Sequence, residues 1–305
     1  MADTTSTRGV NGTLLGATFM VSGMAIIGLI DNYVVNIAAE AGLWQFHFTR
    51  SVMACALMVL GAIVFGWRLR PRRWRGVIIR SLCASFSMAI YFGALAFVPI
   101  AQVGAGLFTA PIFVLIFSVF LFGQRIGLVR ILAAVCGFAG VLMVLQPNPA
   151  ALQMAAILPM FAGVTWGLTA LATRHLCEGE DTITLLFWFF TALGVMGAGG
   201  LIFTGFGFEN PESFVGQGWV TPTYEFLYWT TVQALGSLVA VGCLTRAYQV
   251  GETTYVAPFE YSFLIFASFW AWILTGAALG MLGGLGLVVI IASGIVIALR
   301  SGGET

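Results

Sequence analysis

The chain has 305 residues, of which 60% are hydrophobic and only 8% are charged. Ordinary soluble domains carry about 25% charged residues, so this composition excludes a water-soluble globular protein. The net charge is +1, and no basic stretch alternates with aromatic residues, so nothing indicates binding to nucleic acid. We therefore expect a multi-pass protein embedded in the lipid bilayer.

The apolar runs are continuous, which indicates membrane-spanning helices. A β-barrel would instead alternate apolar and polar residues over about ten positions per strand. The chain is thus predicted to be an all-α integral membrane protein with an N-terminal tail over residues 1–12. Glycine, proline and charged clusters divide the remainder into ten spans, at 13–37, 43–66, 76–98, 101–122, 127–146, 151–174, 183–206, 226–247, 253–276 and 280–299.

The arginines predict how these spans are oriented. All 13 positive residues are arginine. If the N-terminus is cytoplasmic, twelve of them, including Arg80, are assigned to cytoplasmic loops and termini or to the span ends beside them, and Arg50 lies well inside the second span. By the positive-inside rule, both termini are expected in the cytoplasm and the tail 1–12 is cytoplasmic.

Two stretches of the chain resemble each other and indicate an internal repeat. Each has a proline within a span, a glycine at the end of that span and a glycine in the next span, namely Pro111, Gly123 and Gly140, then Pro258, Gly276 and Gly294. The halves would cover residues 13–146 and 151–300, with five spans each. Because five is odd, the second half must be inverted, an arrangement typical of alternating-access transporters with a central cavity between the halves.

These residues also resemble a known family. The chain is similar to the drug/metabolite transporter superfamily, EamA-like branch, in Arg50, Pro111, Phe122-Gly123, Gly137, Gly140 and the string Val256-Ala257-Pro258-Phe259-Glu260-Tyr261-Ser262. The resemblance covers nearly the whole chain and implies two inverted five-helix repeats. Within the superfamily, the chain most resembles bacterial inner-membrane exporters of aromatic and other amino acids. Gln124 departs from the family, which often has glutamate after this glycine.

Ionisable residues within spans are costly and therefore candidates for function. Asp31 and Arg50 each lie about seven residues from the outer end of their span, at a depth of roughly 10 Å with a helical rise of 1.5 Å per residue. We predict that the two side chains pair. The pair would either lock the first hairpin or take part in coupling or gating.

Glu260 follows Pro258 near the cytoplasmic end of span nine. Proline removes a backbone hydrogen bond, so Pro258 and its counterpart Pro111 are hinge candidates. The carboxylate of Glu260 can take up a proton or hold a substrate ammonium group. The alternative is an interfacial glutamate that reaches water or satisfies a freed backbone group. His47 and His175 are expected near opposite membrane surfaces.

Polar and aromatic residues on single helical faces are candidates for the substrate cavity. Tyr91, Trp166, Gln233 and Tyr261 are favoured because an aromatic or amide group can hold an amphipathic solute. The same spans offer Ser85, Met88, Thr169 and Ser237 on the same faces. The alternative for serine and threonine is close helix packing, which is common in membranes.

Other classes of function find little support in the sequence. It contains no zinc-helix, nucleophile-elbow or phosphate-loop motif, and its five cysteines have no metal-ligand spacing, so we expect neither an enzyme nor a cofactor. A channel would need a selectivity filter or a charged ring. We therefore expect a secondary or facilitative transporter that exports amino acids across the inner membrane. The alternative is a transporter of another small metabolite or drug, and the oligomeric state is left open.

Overall fold

The structure, a computed structural model, describes residues 3–94, 98, 100–148, 157–208, 210 and 213–300. All regular structure within these ranges is helical. The first half contains α1 (Asp3–Ile30), α2 (Val34–Glu40), α3 (Leu43–Phe65), α4 (Trp74–Ala94), α5 (Ile100–Leu107), α6 (Ala110–Phe122) and α7 (Leu128–Leu145). The second half contains α8 (Leu158–His175), α9 (Thr182–Phe203), α10 (Tyr224–Val250), α11 (Thr253–Val256), α12 (Ser262–Thr275) and α13 (Met281–Arg300).

Within the described residues, nine helical stretches are long and apolar enough to cross a membrane. They match nine of the ten predicted spans and confirm an all-α membrane protein. Span six is represented by α8, which carries Arg174 and His175 in its last turn. The first six residues of that predicted span, 151–156, lie outside the described part of the chain. Residues 3–12, predicted as a tail, continue α1 as helix.

Three spans are interrupted within their length. A 3₁₀ turn at Asp31–Tyr33 joins α1 to α2, and another at Ala257–Tyr261 joins α11 to α12. Between α5 and α6 the chain turns at 108–109. Pro111 lies in the first turn of α6, and Pro258 lies in the second 3₁₀ turn, so both hinge candidates are at helix breaks. Their role as hinges stays a prediction.

The most extensive helix contacts follow the repeat. Span one packs on span eight through α1 and α10, and span six packs on span three through α8 and α4. Span two packs on span seven through α3 and α9, and span five on span ten through α7 and α13. Exchanging each span with the one five places along reproduces this set of contacts. The packing therefore has the two-fold symmetry expected of two repeats.

The α7–α13 pair depends on close backbone approach. A Cβ atom at Gly286 would lie 2.7 Å from the carbonyl oxygen of Gly140, and a Cβ at Gly140 would lie 2.8 Å from that of Gly286. Small residues at helix contacts are typical of membrane proteins, because lipid provides no hydrophobic force between helices. The two glycines therefore set the distance between the last spans of the two halves.

Arg80 is buried, which corrects its prediction as a residue of a cytoplasmic loop. It is 3% exposed and lies in α4. Its guanidinium donates hydrogen bonds to the Leu185 carbonyl oxygen at 2.8 Å and to the hydroxyls of Thr245 at 2.9 Å and Thr173 at 3.3 Å. It joins α4 to α8, α9 and α10, because a buried guanidinium needs acceptors for its donors.

We expect Gly286→Ala to destabilise the protein by about 1–3 kcal/mol, because the new methyl group would overlap a backbone oxygen that is unable to move aside. Gly284→Ala is the matched control, since a Cβ there would meet no atom within 4 Å. The free energy of unfolding in mixed micelles measures both. Equal stabilities of the two variants would contradict the close α7–α13 contact.

Candidate functional site

A cavity lies between the two halves. Its volume is about 130 Å³. That is several times the roughly 10–15 Å³ needed for a single water molecule. The wall is formed by Met24, Ile27, Ile30, Asp31, Arg50, Met88, Tyr91, Phe92, Leu107, Phe108, Trp166, Phe189, Phe190, Ser237, Val241, Leu244, Glu260 and Phe263. Both halves contribute to it, as inverted repeats predict.

Aromatic rings make up much of the wall. Tyr91 and Phe92 of α4 meet edge to face with centroids 5.0 Å apart, and Phe189 and Phe190 of α9 also lie 5.0 Å apart. The ring of Phe108, from the break between α5 and α6, lies 5.7 Å from that of Phe263. Such rings offer apolar faces and polarised edges to a bound solute. The cavity suits a molecule with a flat or apolar portion.

Glu260 brings a carboxylate to the wall. It lies in the 3₁₀ turn between α11 and α12 and is 3% exposed. Its Oε1 accepts a hydrogen bond from Trp166 Nε1 at 2.8 Å and another from the Tyr248 hydroxyl. This break lies in the first half of the span Thr253–Thr275. The alternative of an interfacial glutamate does not fit this burial.

Asp31 and Arg50 line the same cavity but form no ion pair, which corrects the predicted pairing. Arg50 is 8% exposed, and its Nη2 lies 3.3 Å from His47 Nδ1. Its guanidinium lies over the Phe46 ring, 4.7 Å from the centroid. Asp31 lies in the 3₁₀ turn after α1 and is exposed. The two side chains nevertheless interact electrostatically.

His47 is buried beside Arg50, whereas the sequence predicted an interfacial residue. Its ring meets Phe92 edge to face at 5.0 Å, and Phe92 belongs to the cavity wall. His175, at the other end of the bundle, stacks on Phe122 with ring centroids 4.0 Å apart. His47 therefore positions Arg50 from behind the wall, while His175 takes no part in the cavity.

Of the predicted substrate-binding residues and the Asp31 and Arg50 pair, seven line the cavity and four do not. The seven are Asp31, Arg50, Met88, Tyr91, Trp166, Ser237 and Glu260. Ser85 Oγ donates to the Phe189 carbonyl oxygen of α9 at 3.4 Å, whereas Thr169 Oγ1 donates to the Thr165 carbonyl oxygen of its own helix at 2.9 Å, so both hydroxyls are bonded to the backbone. Gln233 Nε2 donates to the Ile30 carbonyl oxygen at 2.7 Å, behind the wall. Tyr261 is fully buried against Phe108.

Sequence reasoning missed several residues of the site. It selected polar or amphipathic side chains, so the purely apolar rings of Phe108, Phe189, Phe190 and Phe263 were passed over. Tyr248 was also missed, although it donates to the carboxylate of Glu260. Tyr248 lies twelve positions before Glu260 and on the preceding span, so no helical spacing relates the two.

No group of three or more histidine, cysteine or acidic side chains among the described residues is arranged to hold a metal ion. The five cysteines are free thiols. Cys177 lies in the loop after α8, where burial raises the pKa of its thiol to about 11. It is therefore protonated at neutral pH, in keeping with a packing residue.

One end of the bundle is joined across the two halves. Arg130 of α7 pairs with Glu252, which precedes α11, and its Nη1 donates to Thr254 Oγ1 at 2.8 Å. Within the second half, Arg174 Nη1 donates to the Gln249 carbonyl oxygen at 2.5 Å. We refer to the Arg130–Glu252–Thr254 cluster as the latch. It connects the halves on the side where α10 leads into α11, near the Glu260 side of the cavity.

Comparison with known proteins identifies relatives of this architecture. The model of the EamA-like transporter family matches residues 14–146 and 153–299. The chain is 28% identical to a riboflavin transporter of Rhizobium johnstonii, over 73% of this chain and 68% of that protein. It is 24% identical to the pseudopaline exporter of Pseudomonas aeruginosa, over 90% of this chain and 93% of that protein. It is 22% identical to an S-adenosylmethionine uptake transporter of Rickettsia bellii, over 75% of this chain and 72% of that protein. A solved crystal structure shares the fold, with a TM-score of 0.77 at 16% identity, covering 95% of this chain and 97% of that one.

We expect Arg130→Gln to loosen the latch and open its end of the cavity. A partly exposed ion pair contributes at most about 1 kcal/mol, which corresponds to a change of about fivefold in the equilibrium between closed and open forms. The measurement is the rate at which a membrane-impermeant maleimide modifies Leu244→Cys, in a background without native cysteines. Leu244 is suitable because it lines the cavity.

The matched control is Arg125→Gln, which removes the charge of an exposed arginine that makes no ion pair in the described part of the chain. Labelling in this control should proceed at the unmodified rate. Equal acceleration in both variants would attribute the effect to charge alone and contradict the latch.

Proposed function

Because the chain belongs to the EamA-like transporter family, we propose that it carries amino acids, aromatic and other neutral ones, out of the cell by alternating access. The observation that supports this proposal best is the wall of the cavity between the two halves. It combines aromatic rings with one cationic and two acidic side chains, Arg50, Asp31 and Glu260. A zwitterion with an apolar side chain has matching groups for all three features.

Each part of an amino acid has a partner in this wall. The Nε of Arg50 is buried without a hydrogen-bond partner in the described residues, so the guanidinium is available to a carboxylate. Glu260 can accept an ammonium group through the oxygen that Trp166 and Tyr248 leave free. The rings of Tyr91, Phe108 and Phe263 would hold the side chain.

The helix breaks support a change of access. The wall residues at Phe108 and Glu260 come from the interrupted spans four and nine, which occupy equivalent places in the two halves. Rocking one half against the other around the cavity would expose it first to one side and then to the other. In this scheme the latch breaks when the cavity opens at the Arg130 side.

We further propose that the arginine-bearing loops face the cytoplasm and that the protein resides in the bacterial inner membrane. Arg68, Arg70, Arg72, Arg73 and Arg75 all lie between α3 and the first turn of α4, as the positive-inside rule requires of a cytoplasmic loop. The sequence contains no phosphate-loop motif for ATP. The proposed energy source is therefore a substrate or ion gradient.

A second candidate substrate is a planar heterocycle of the flavin type. The relative from Rhizobium johnstonii is named a riboflavin transporter, and the aromatic wall of this cavity also suits a flat ring system. Such a substrate would stack on the rings but leave the charges of Arg50 and Glu260 without counter-charges. We favour amino acids because they use both.

Reconstitution into liposomes tests the two candidates together. We expect faster exchange of labelled phenylalanine and leucine than of riboflavin, with phenylalanine preferred because its ring meets the aromatic wall. The assay is counterflow, which needs no imposed gradient. Faster exchange of riboflavin, with no flux of either amino acid, would replace the first candidate by the second.

Tyr91→Leu should raise the KM for phenylalanine about three- to tenfold, since the loss of one aromatic contact costs about 0.5–1.5 kcal/mol. The KM for leucine should change less. Phe120→Leu is the control, because Phe120 is 80% exposed on α6 and lies outside the cavity wall. If both variants raise the KM alike, the ring of Tyr91 does not contact the substrate.

A further inference from the structure

Glu260 is a buried carboxylate whose charge no cationic side chain balances. None of the ion pairs among the described residues includes it. Its two hydrogen-bond donors are the indole of Trp166 and the phenol of Tyr248, both neutral and both bound to Oε1. No described residue donates a hydrogen bond to Oε2. The Glu260 side chain forms part of the cavity wall.

The other acid of the cavity is in a different situation. Asp31 is exposed, and Arg50 lies in the same wall close enough to interact with it electrostatically. The guanidinium therefore compensates part of its charge. No cationic side chain among the described residues does the same for Glu260, although it belongs to the same cavity.

An isolated charge in an apolar environment is costly, and two neutral hydrogen bonds offset only part of that cost. The charge can be removed by a proton or balanced by a bound cation. The two solutions exclude each other, because both use the carboxylate oxygen to which no described residue donates. A site of this kind therefore exchanges one cation for another.

We propose that Glu260 is the exchange site of the transporter, where a proton and the ammonium group of the substrate bind alternately. This inference rests on the proposed function, because it requires a substrate that carries an ammonium group. Trp166 and Tyr248 act as positioning residues that hold Oε1 and leave Oε2 without a donor. Proton entry would then drive substrate exit by antiport.

The exchange balances in charge and protons. When the ammonium group arrives, the carboxyl group releases one proton to the water of the cavity, and the net charge at the site is the same before and after. On α7, which packs against this turn, Arg130 is already paired with Glu252 in the latch. The other titratable groups around the site are Tyr248, Tyr255 and Tyr261 nearby, the Cys136 thiol on α7, and Asp31, Arg50 and Tyr91 across the cavity.

The direct test is proton release on ligand binding. Purified protein in weakly buffered detergent solution is mixed with phenethylamine, L-phenylalanine or 3-phenylpropionate, and a pH indicator records the protons released. At a pH where Glu260 is protonated, we expect the two ammonium ligands to release up to about one proton each and the carboxylate ligand to release none. In acid, their apparent Kd should rise about tenfold per pH unit through competition with protons.

Glu260→Gln is the matched variant, because the amide oxygen can still accept hydrogen bonds from Trp166 and Tyr248. It should release no proton, bind phenethylamine about tenfold or more weakly through loss of a charged partner, and lose the pH dependence of that binding. Glu260→Asp should restore proton release. Glu225→Gln is the control, since Glu225 also accepts from a tryptophan, Trp229, at 3.2 Å, but on the exposed surface of α10.

The outcomes separate this inference from the proposed function. Binding of phenylalanine without proton release, or unchanged release in Glu260→Gln, would overturn the exchange site and leave amino-acid transport standing. If neither ammonium ligand binds, both the substrate class and the exchange site are overturned. Should Glu260→Gln fail to fold, the comparison of the cationic and anionic ligands on the unmodified protein still decides the question.

Discussion

The interior of a bilayer offers the backbone no hydrogen-bond partners, and the cavity depends on how this chain meets that constraint. An interruption of a spanning helix is tolerated only where protein or a polar cavity surrounds it. The three interruptions, at Asp31–Tyr33, at 108–109 and at Ala257–Tyr261, each place a residue in the cavity wall, namely Asp31, Phe108 and Glu260. The breaks and the site are thus one feature of the fold.

Most of the fold could be predicted from the sequence. The length of each apolar run indicates a membrane-spanning helix, glycines and prolines mark where helices end or break, and arginines indicate how the spans are oriented. The span predicted at 43–66 is α3 at Leu43–Phe65, and that at 127–146 is α7 at Leu128–Leu145. The EamA-like family was also anticipated and is confirmed. Arg80 was misplaced, because a charge near a helix end looks the same in sequence whether it reaches water or buried carbonyl and hydroxyl groups.

The site was harder to predict, because the pattern of residues on one face of a helix does not show which other helix that face contacts. Trp166 and Glu260 were selected separately, yet a hydrogen bond joins their side chains although the two residues are 94 positions apart in the chain. Asp31 and Arg50 were selected from their cost in lipid as a structural or coupling pair, and both line the cavity, but no ion pair joins them. Selecting polar side chains also missed the phenylalanines, which carry no signal that distinguishes a cavity wall from lipid contact.

The two halves share their packing but not their chemistry. Asp31 and Arg50 belong to the first half, whereas Glu260 and both of its donors belong to the second. A fold whose halves were chemically equivalent would present the same site to either side of the membrane, with equal affinity. Here the halves differ, so the two access states of the proposed cycle would offer a substrate different contacts, and its apparent affinity would differ between the two faces of the membrane.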